Sequence, residues 1–114
     1  MDKVTVIGGS GFLGSHVADE LSMRGYSVTV FDRTSSPWVR DDQRMVVGDL
    51  LDRSALVDVC KGARYVYHFA GVADIGEAKA NPYQTIKVNV LGTTAALEAA
   101  HHNQVERFVY ASTM

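Results

Sequence analysis

Val4-Thr5-Val6-Ile7-Gly8-Gly9-Ser10-Gly11-Phe12-Leu13-Gly14-Ser15-His16 is the stretch that decides the fold of this chain. Its first four residues read as a strand covered on both faces. Gly8, Gly11 and Gly14 follow at intervals of three, and a helical pattern comes after them. A glycine turn between a buried strand and a helix brings backbone N–H groups up to a pyrophosphate. In that role Gly8 makes the tight turn and Gly11 lets the backbone approach the phosphates. Gly14 then permits close packing of helix on strand. A glycine-rich turn without a ligand is the plainer alternative. A P-loop is excluded, because no Gly-Lys-Ser/Thr follows.

Outward from this stretch, short β-branched runs alternate with longer helical patterns. Strands are expected at 4–7, 27–31, 45–47, 65–69 and 107–110. The first helix is expected over 11–24, with Leu13, Val17 and Leu21 as its buried stripe. Arg24 suits the negative end of the helix dipole, and Gly25 supplies a left-handed stop. Asp52 reads as the N-cap of a second helix that turns Ala55, Leu56 and Val59 inward. A third helix starts at Asn81 as N-cap, with Pro82 at its first position and Gln84 reaching back. It runs through Ile86, Val90 and Leu97 to about residue 101. The order β-α-β-β-α-β-α-β with right-handed crossovers implies an α/β fold. It is a doubly wound parallel sheet of the Rossmann type, with about five strands in the order 3-2-1-4-5. Ligands bind such sheets beyond the carboxyl ends of the strands, at the switch between strands 1 and 4. Residues 8–14, Asp32, Asp49, residues 68–71, Ser112 and Thr113 all fall at those ends.

Composition bounds the answer further. The chain has 114 residues, of which 46% are apolar. That suffices for one globular domain over 1–114, yet it is small for a whole enzyme. Net charge is −2 with scattered basic residues, so neither a nucleic-acid footprint nor a membrane-surface patch is expected. No apolar run is long enough to span a bilayer. Met1-Asp2-Lys3 leads straight into a strand, so no secretory signal is expected. The single cysteine, Cys60, reads as a buried small hydrophobe and fits a reducing, cytoplasmic setting. No His/Cys/Asp spacing suggests a metal site. The chain stops just after an apolar strand, and an N-terminal piece of a longer protein is expected.

Several residues on the expected rim carry candidate chemistry. Asp32, at the end of strand 2, can accept hydrogen bonds from both hydroxyls of an adenosine ribose and would repel a 2′-phosphate, which favours NAD over NADP. Arg33 beside it can pair with that same phosphate. The bland alternative makes Asp32-Arg33 the polar start of a loop. Asp49 can accept from an adenine amino group with Leu50 packing beside the ring, or it can be a turn aspartate. Ala70 and Gly71 leave room for a cofactor passing over strand 4. His68 reads as a hydrogen-bonded core histidine rather than a proton-transfer group. Ser112 and Thr113 can hydrogen-bond a substrate oxygen, or they form an ordinary turn pair.

Taken in order, these residues resemble the extended short-chain dehydrogenase/reductases, specifically the NAD-dependent epimerase/dehydratase group acting on nucleotide sugars. The match runs through 8–16, Asp32, Gly48-Asp49-Leu50, His68-Phe69-Ala70-Gly71, Asn89-Val90-Leu91-Gly92-Thr93 and 107–113. The resemblance implies that the loop around Phe12 and Leu13 holds the pyrophosphate, Asp32 the ribose, and Asp49-Leu50 the adenine. Phe69, Ala70, Gly71 and Val72 would line the path to the nicotinamide, and Asn89 would support them. Thr113 falls on the family's catalytic Ser/Thr, which hydrogen-bonds the sugar hydroxyl being oxidised, with Ser112 next to it near the nicotinamide. The family's catalytic Tyr and Lys, four apart, fall beyond Thr113, so the chain is expected to lack the pair and to be inactive alone.

The expected function is therefore the NAD-binding portion of a nucleotide-sugar epimerase or dehydratase, with a nucleotide-sugar substrate and a homo-oligomeric state. Two alternatives stand beside it. One is an NADP-dependent reductase using Arg33, and the other is a non-catalytic dinucleotide-binding module. A methyltransferase shares the glycine loop and the acid after strand 2, but residues 68–71 and 107–113 give it little support. Strand 5 is expected to be an exposed apolar edge that promotes self-association.

Overall fold

A computed structural model describes residues 1–71 and 74–111. Five strands, β1 (Lys3–Ile7), β2 (Ser27–Asp32), β3 (Gln43–Val47), β4 (Ala63–His68) and β5 (Arg107–Tyr110), form one parallel sheet. Their order is β3-β2-β1-β4-β5, as the right-handed crossover argument requires. β1 lies in the middle and its Val4, Val6 and Ile7 are wholly buried. Thr5 is equally buried and resolves its polarity by donating its hydroxyl to the Val59 carbonyl at 2.8 Å. The register between β1 and β4 shifts between Lys3 and Val4, which pair with Ala63 and Tyr65.

Each face of the sheet has its own core. On one face Val4, Val6, Val28 and Val30 pack against Ala18 and Leu21 of α1 (Phe12–Met23). On the other, Ile7, Phe31 and Val66 pack against Leu56 and Val59 of α2 (Arg53–Val59) and the alanines of a later helix. The Asp52 side chain caps α2 by accepting from the Ala55 N–H at 3.2 Å. Gly25, with φ +93°, ends α1 as expected, and Arg24 pairs with Glu20 across one turn.

Three expectations change. The buried face of α1 is Gly14, Ser15, Ala18 and Leu21, whereas Leu13 is 52% exposed. The small residues let the helix backbone lie on the glycine turn, which rotates Leu13 outward. The third helix is a composite: α3 (Ile75–Ala80), unexpected from sequence, is followed by α4 (Pro82–Ile86), a π-helical turn (Lys87–Leu91) and α5 (Gly92–His102). Asn81 makes no side-chain cap bond, and its backbone N–H, which Gln84 was expected to reach, donates instead to the Glu77 carbonyl at the end of α3. Pro82 does occupy the first position of α4. Finally, Ile86, Val90 and Leu97 are exposed, and α5 buries Gly92, Ala95, Ala96, Ala99 and Ala100 instead. Small side chains allow α5 to approach β4 and α2 closely.

Candidate functional site

The glycine turn is stitched to the strands on both sides of β1. Gly8 donates its N–H to the Phe31 carbonyl at 2.7 Å, and Phe69 donates to the Ile7 carbonyl at 2.7 Å. Gly8 has φ +85°, and a Cβ there would stand 2.4 Å from the Ala70 nitrogen. A Cβ on Gly14 would stand 2.3 Å from the Gly8 carbonyl oxygen. Both positions are closed to any side chain by the protein's own backbone. Gly11 differs, since a Cβ there meets only the Gly8 oxygen, at an ordinary 3.7 Å. Its missing side chain serves no internal packing; it keeps open the space in front of α1.

That space faces a helix end suited to an anion. Gly11 is the N-cap of the twelve-residue α1, no side chain caps it, and no acidic residue lies in its first turn. Its first-turn amides and the positive end of its dipole are therefore left for a ligand. Phe12, 82% exposed, and Leu13 flank the opening, with the Phe12 ring edge-on to His16.

Asp32 ends β2 next to this turn. Its Oδ2 accepts from the Ser10 N–H at 3.0 Å, and its Oδ1 accepts from the Arg33 N–H at 2.7 Å. Each oxygen keeps a lone pair for a further donor. The adjacent Arg33 is exposed and makes no ion pair among the described residues. Asp49 follows β3 on the same rim, and its Oδ1 accepts from the Leu51 N–H at 2.9 Å, so the turn role is present. Leu50 is half-buried and lies against Gly92, where a Cβ would be 2.4 Å from its Cδ2.

Beyond the end of β4, an open pocket of about 240 Å³ is lined by His68, Phe69, Ala70, Gly71, Asn89, Thr93, Tyr110 and Ala111. Asn89 sits in the π-helical turn, and its Oδ1 lies 2.8 Å from where a Gly71 Cβ would be. Single π-turns inside helices recur at functional sites. A hollow of about 320 Å³ on the α1 face, between Glu20, Arg24 and Tyr67, collects none of the rim residues.

His68 is 1% exposed and stacks on Tyr110 at 5.9 Å between centroids. Its Nε2 is 3.0 Å from the Thr93 hydroxyl. Burial pushes its pKa down to about 4, so the ring is neutral at pH 7. This is a core histidine, as its apolar surroundings in the sequence suggested. Thr93, its partner, lines the pocket together with Tyr110 and Ala111, and the sequence singled out none of the three for a role.

The structure thus brings Gly8, Gly11, Phe12, Leu13, Gly14, Asp32, Arg33, Asp49, Leu50, Phe69, Ala70 and Gly71 to one edge of the sheet, with Asn89 beside it. Val72, Ser112 and Thr113 lie outside the described residues. One expectation about spacing is corrected. Tyr83-Gln84-Thr85-Ile86-Lys87 is a Tyr-x-x-x-Lys, so the pattern does occur in the chain. It precedes Thr113, however, and Tyr83 on α4 is 80% exposed and does not line the rim pocket. Among the described residues no group of three metal-ligating side chains is found, and no helix is long and apolar enough to cross a membrane.

Comparison with known proteins fits this geometry. The model of the NAD dependent epimerase/dehydratase family matches residues 4–114. The chain is 32% identical, over 98% of its length, to a UDP-glucose 4-epimerase of Rhizobium leguminosarum bv. trifolii, of which it covers 36%. It is 35% identical, over 97% of its length, to the human sterol-4-alpha-carboxylate 3-dehydrogenase, decarboxylating, of which it covers 29%. Its fold superposes with a TM-score of 0.90 on the crystal structure of UDP-glucose 4-epimerase from Brucella ovis in complex with NAD, at 33% identity, covering 98% of this chain and 36% of that one. The chain therefore spans about a third of the length of these relatives.

Proposed function

The chain belongs to the NAD dependent epimerase/dehydratase family, and from that premise we propose that it is the NAD-binding portion of a nucleotide-sugar epimerase or dehydratase. The observation that carries the reading is the pairing of an open, uncapped helix N-terminus at Gly11 with the oriented carboxylate of Asp32. On this reading the first-turn amides around Phe12 and Leu13 hold the pyrophosphate. Asp32 accepts from the adenosine ribose hydroxyls, which selects NAD over NADP. Asp49 and Leu50 border the adenine, while Phe69 to Val72, Asn89 and Ser112 border the nicotinamide. When bound, NAD supplies a reversible hydride acceptor. Thr113 orients the sugar hydroxyl that is oxidised, and residues 1–114 alone turn over no substrate.

The experiment is conversion of UDP-glucose by the protein carrying this chain, followed by NMR of the sugar. Conversion is expected, and Thr113→Val should lower kcat by about 100-fold, the scale of a lost group in proton-transfer chemistry. An unchanged kcat, or no conversion by the wild type, contradicts the reading. A second reading, oxidation of a hydroxysteroid, is favoured by the 35% identity to the human sterol dehydrogenase. Oxidation of a sterol alcohol with no action on UDP-glucose would select it.

Two further proposals concern the molecule's setting. Cys60 is wholly buried and burial pushes its thiol pKa up to about 11, a protected thiol that suits a reducing cytoplasm. Among the described residues β5 pairs with β4 alone, and Tyr110 on it is 55% exposed, which supports self-association of residues 1–114. Light scattering should show a mass above the monomer, and a monomer at high concentration would contradict this.

A further inference from the structure

Ser10 is tied twice to the segment that follows β2. Its backbone N–H donates to Asp32 Oδ2 at 3.0 Å, a bond any residue at this position can make. Its hydroxyl donates to the Thr34 carbonyl at 2.7 Å, a bond that needs a Ser or Thr side chain. Residues 32–34 are thereby held against the glycine turn at both ends. Asp32 is fixed further by the Arg33 N–H on its other oxygen. In this setting a carboxylate, not a guanidinium, borders the turn that accepts the dinucleotide. Arg33 stays exposed and without an ion pair among the described residues.

A 2′-phosphate at the ribose makes the opposite demand. It requires the Asp32 charge to move away and a cation to approach. Arg33 is the nearest cation in sequence, and its guanidinium suits a phosphate. Bringing it inward means swinging residues 32–34 off the turn, which breaks both Ser10 bonds. We infer that Ser10 is a specificity-determining positioning residue of the cofactor site: its hydroxyl, by holding the Thr34 carbonyl, keeps the β2 end in the setting that accepts a ribose diol and refuses a 2′-phosphate.

This inference rests on the proposed NAD site, and one titration separates the two. NADH and NADPH are each titrated by fluorescence against the protein carrying this chain, as wild type, Ser10→Ala, Ser10→Thr and Ser10→Ala/Arg33→Ala. In Ser10→Ala the ratio of the NADPH Kd to the NADH Kd should fall about fivefold, the equivalent of ~1 kcal/mol for one hydrogen bond. Ser10→Thr restores the hydroxyl and should restore the ratio. Adding Arg33→Ala to Ser10→Ala should abolish whatever NADPH affinity was gained. A merely structural role for Ser10 would weaken both cofactors alike and leave the ratio unchanged, and that result overturns the inference while leaving the NAD site intact. A wild type that binds neither cofactor overturns the site itself and the inference with it.

Discussion

His68 shows how burial sets the chemistry of one residue. An imidazole in an unfolded chain titrates near 6.5, whereas this ring titrates at about 4 because burial disfavours its charged form. Between those pH values the unfolded chain holds the extra proton. Stability is therefore full above about pH 6.5 and falls as the pH drops toward 4, by up to ~1.4 kcal/mol per pH unit. Urea unfolding at pH 7 and pH 5 checks this, and His68→Gln should remove that part of the slope. An equal slope in the variant contradicts it. The buried, apolar character of His68 was legible in the sequence, since its neighbours Val66 and Phe69 mark a covered strand. Its partner was not, because Thr93 lies 25 residues away on a helix whose facing depends on packing. Gly8 and Gly14 were legible for the opposite reason: the close approaches of the turn leave no room for a side chain at either position.

The helices show where sequence reasoning stops at the level of elements. α1 and α2 end and begin where Gly25 and Asp52 place them, because caps are local chemistry. The facing of α5 escaped, since Ala95, Ala96, Ala99 and Ala100 form a weak apolar stripe beside the larger, exposed Val90 and Leu97. The π-helical turn has no composition signal of its own; it shows only in the hydrogen bonding of 87–91. Two helix ends use the same motif with different residues. At α1 the Gly25 and Tyr26 N–H groups donate to Ser22 and Leu21, and at α5 the Gln104 and Val105 N–H groups donate to His101 and Ala100. Both positions after the C-cap are left-handed, with φ +93° at Gly25 and +56° at Gln104. Glycine bears this conformation freely, whereas a residue with a Cβ loses ~1 kcal/mol or more. Gln104→Gly should therefore stabilise the protein by about 1 kcal/mol, less the entropy that glycine adds to the unfolded chain. Thermal unfolding checks the sign, and a lowered Tm contradicts the strain argument.

At the scale of the molecule, sheet order and rim were legible together. Crossover handedness leaves one way to wind these strands, and a doubly wound sheet puts every strand's carboxyl end on one edge. That is why residues as distant as Gly8, Asp32, Asp49 and Gly71 meet there. The substrate was not legible at this scale, because the relatives are about three times longer and their names divide between sugar nucleotides and sterols. The proposed dinucleotide cradle can be tested apart from the fold at Gly11. Its φ of −78° suits any residue, and the protein leaves room for a Cβ there. Titration of NADH into the protein carrying Gly11→Val, with unfolding measured alongside, is the most direct test. The cradle predicts that stability changes by no more than about 1 kcal/mol, a helix-cap effect, while the NADH Kd rises at least ~100-fold because the side chain occupies the approach to the first-turn amides. Binding of NADH to Gly11→Val as tight as to the wild type would contradict it.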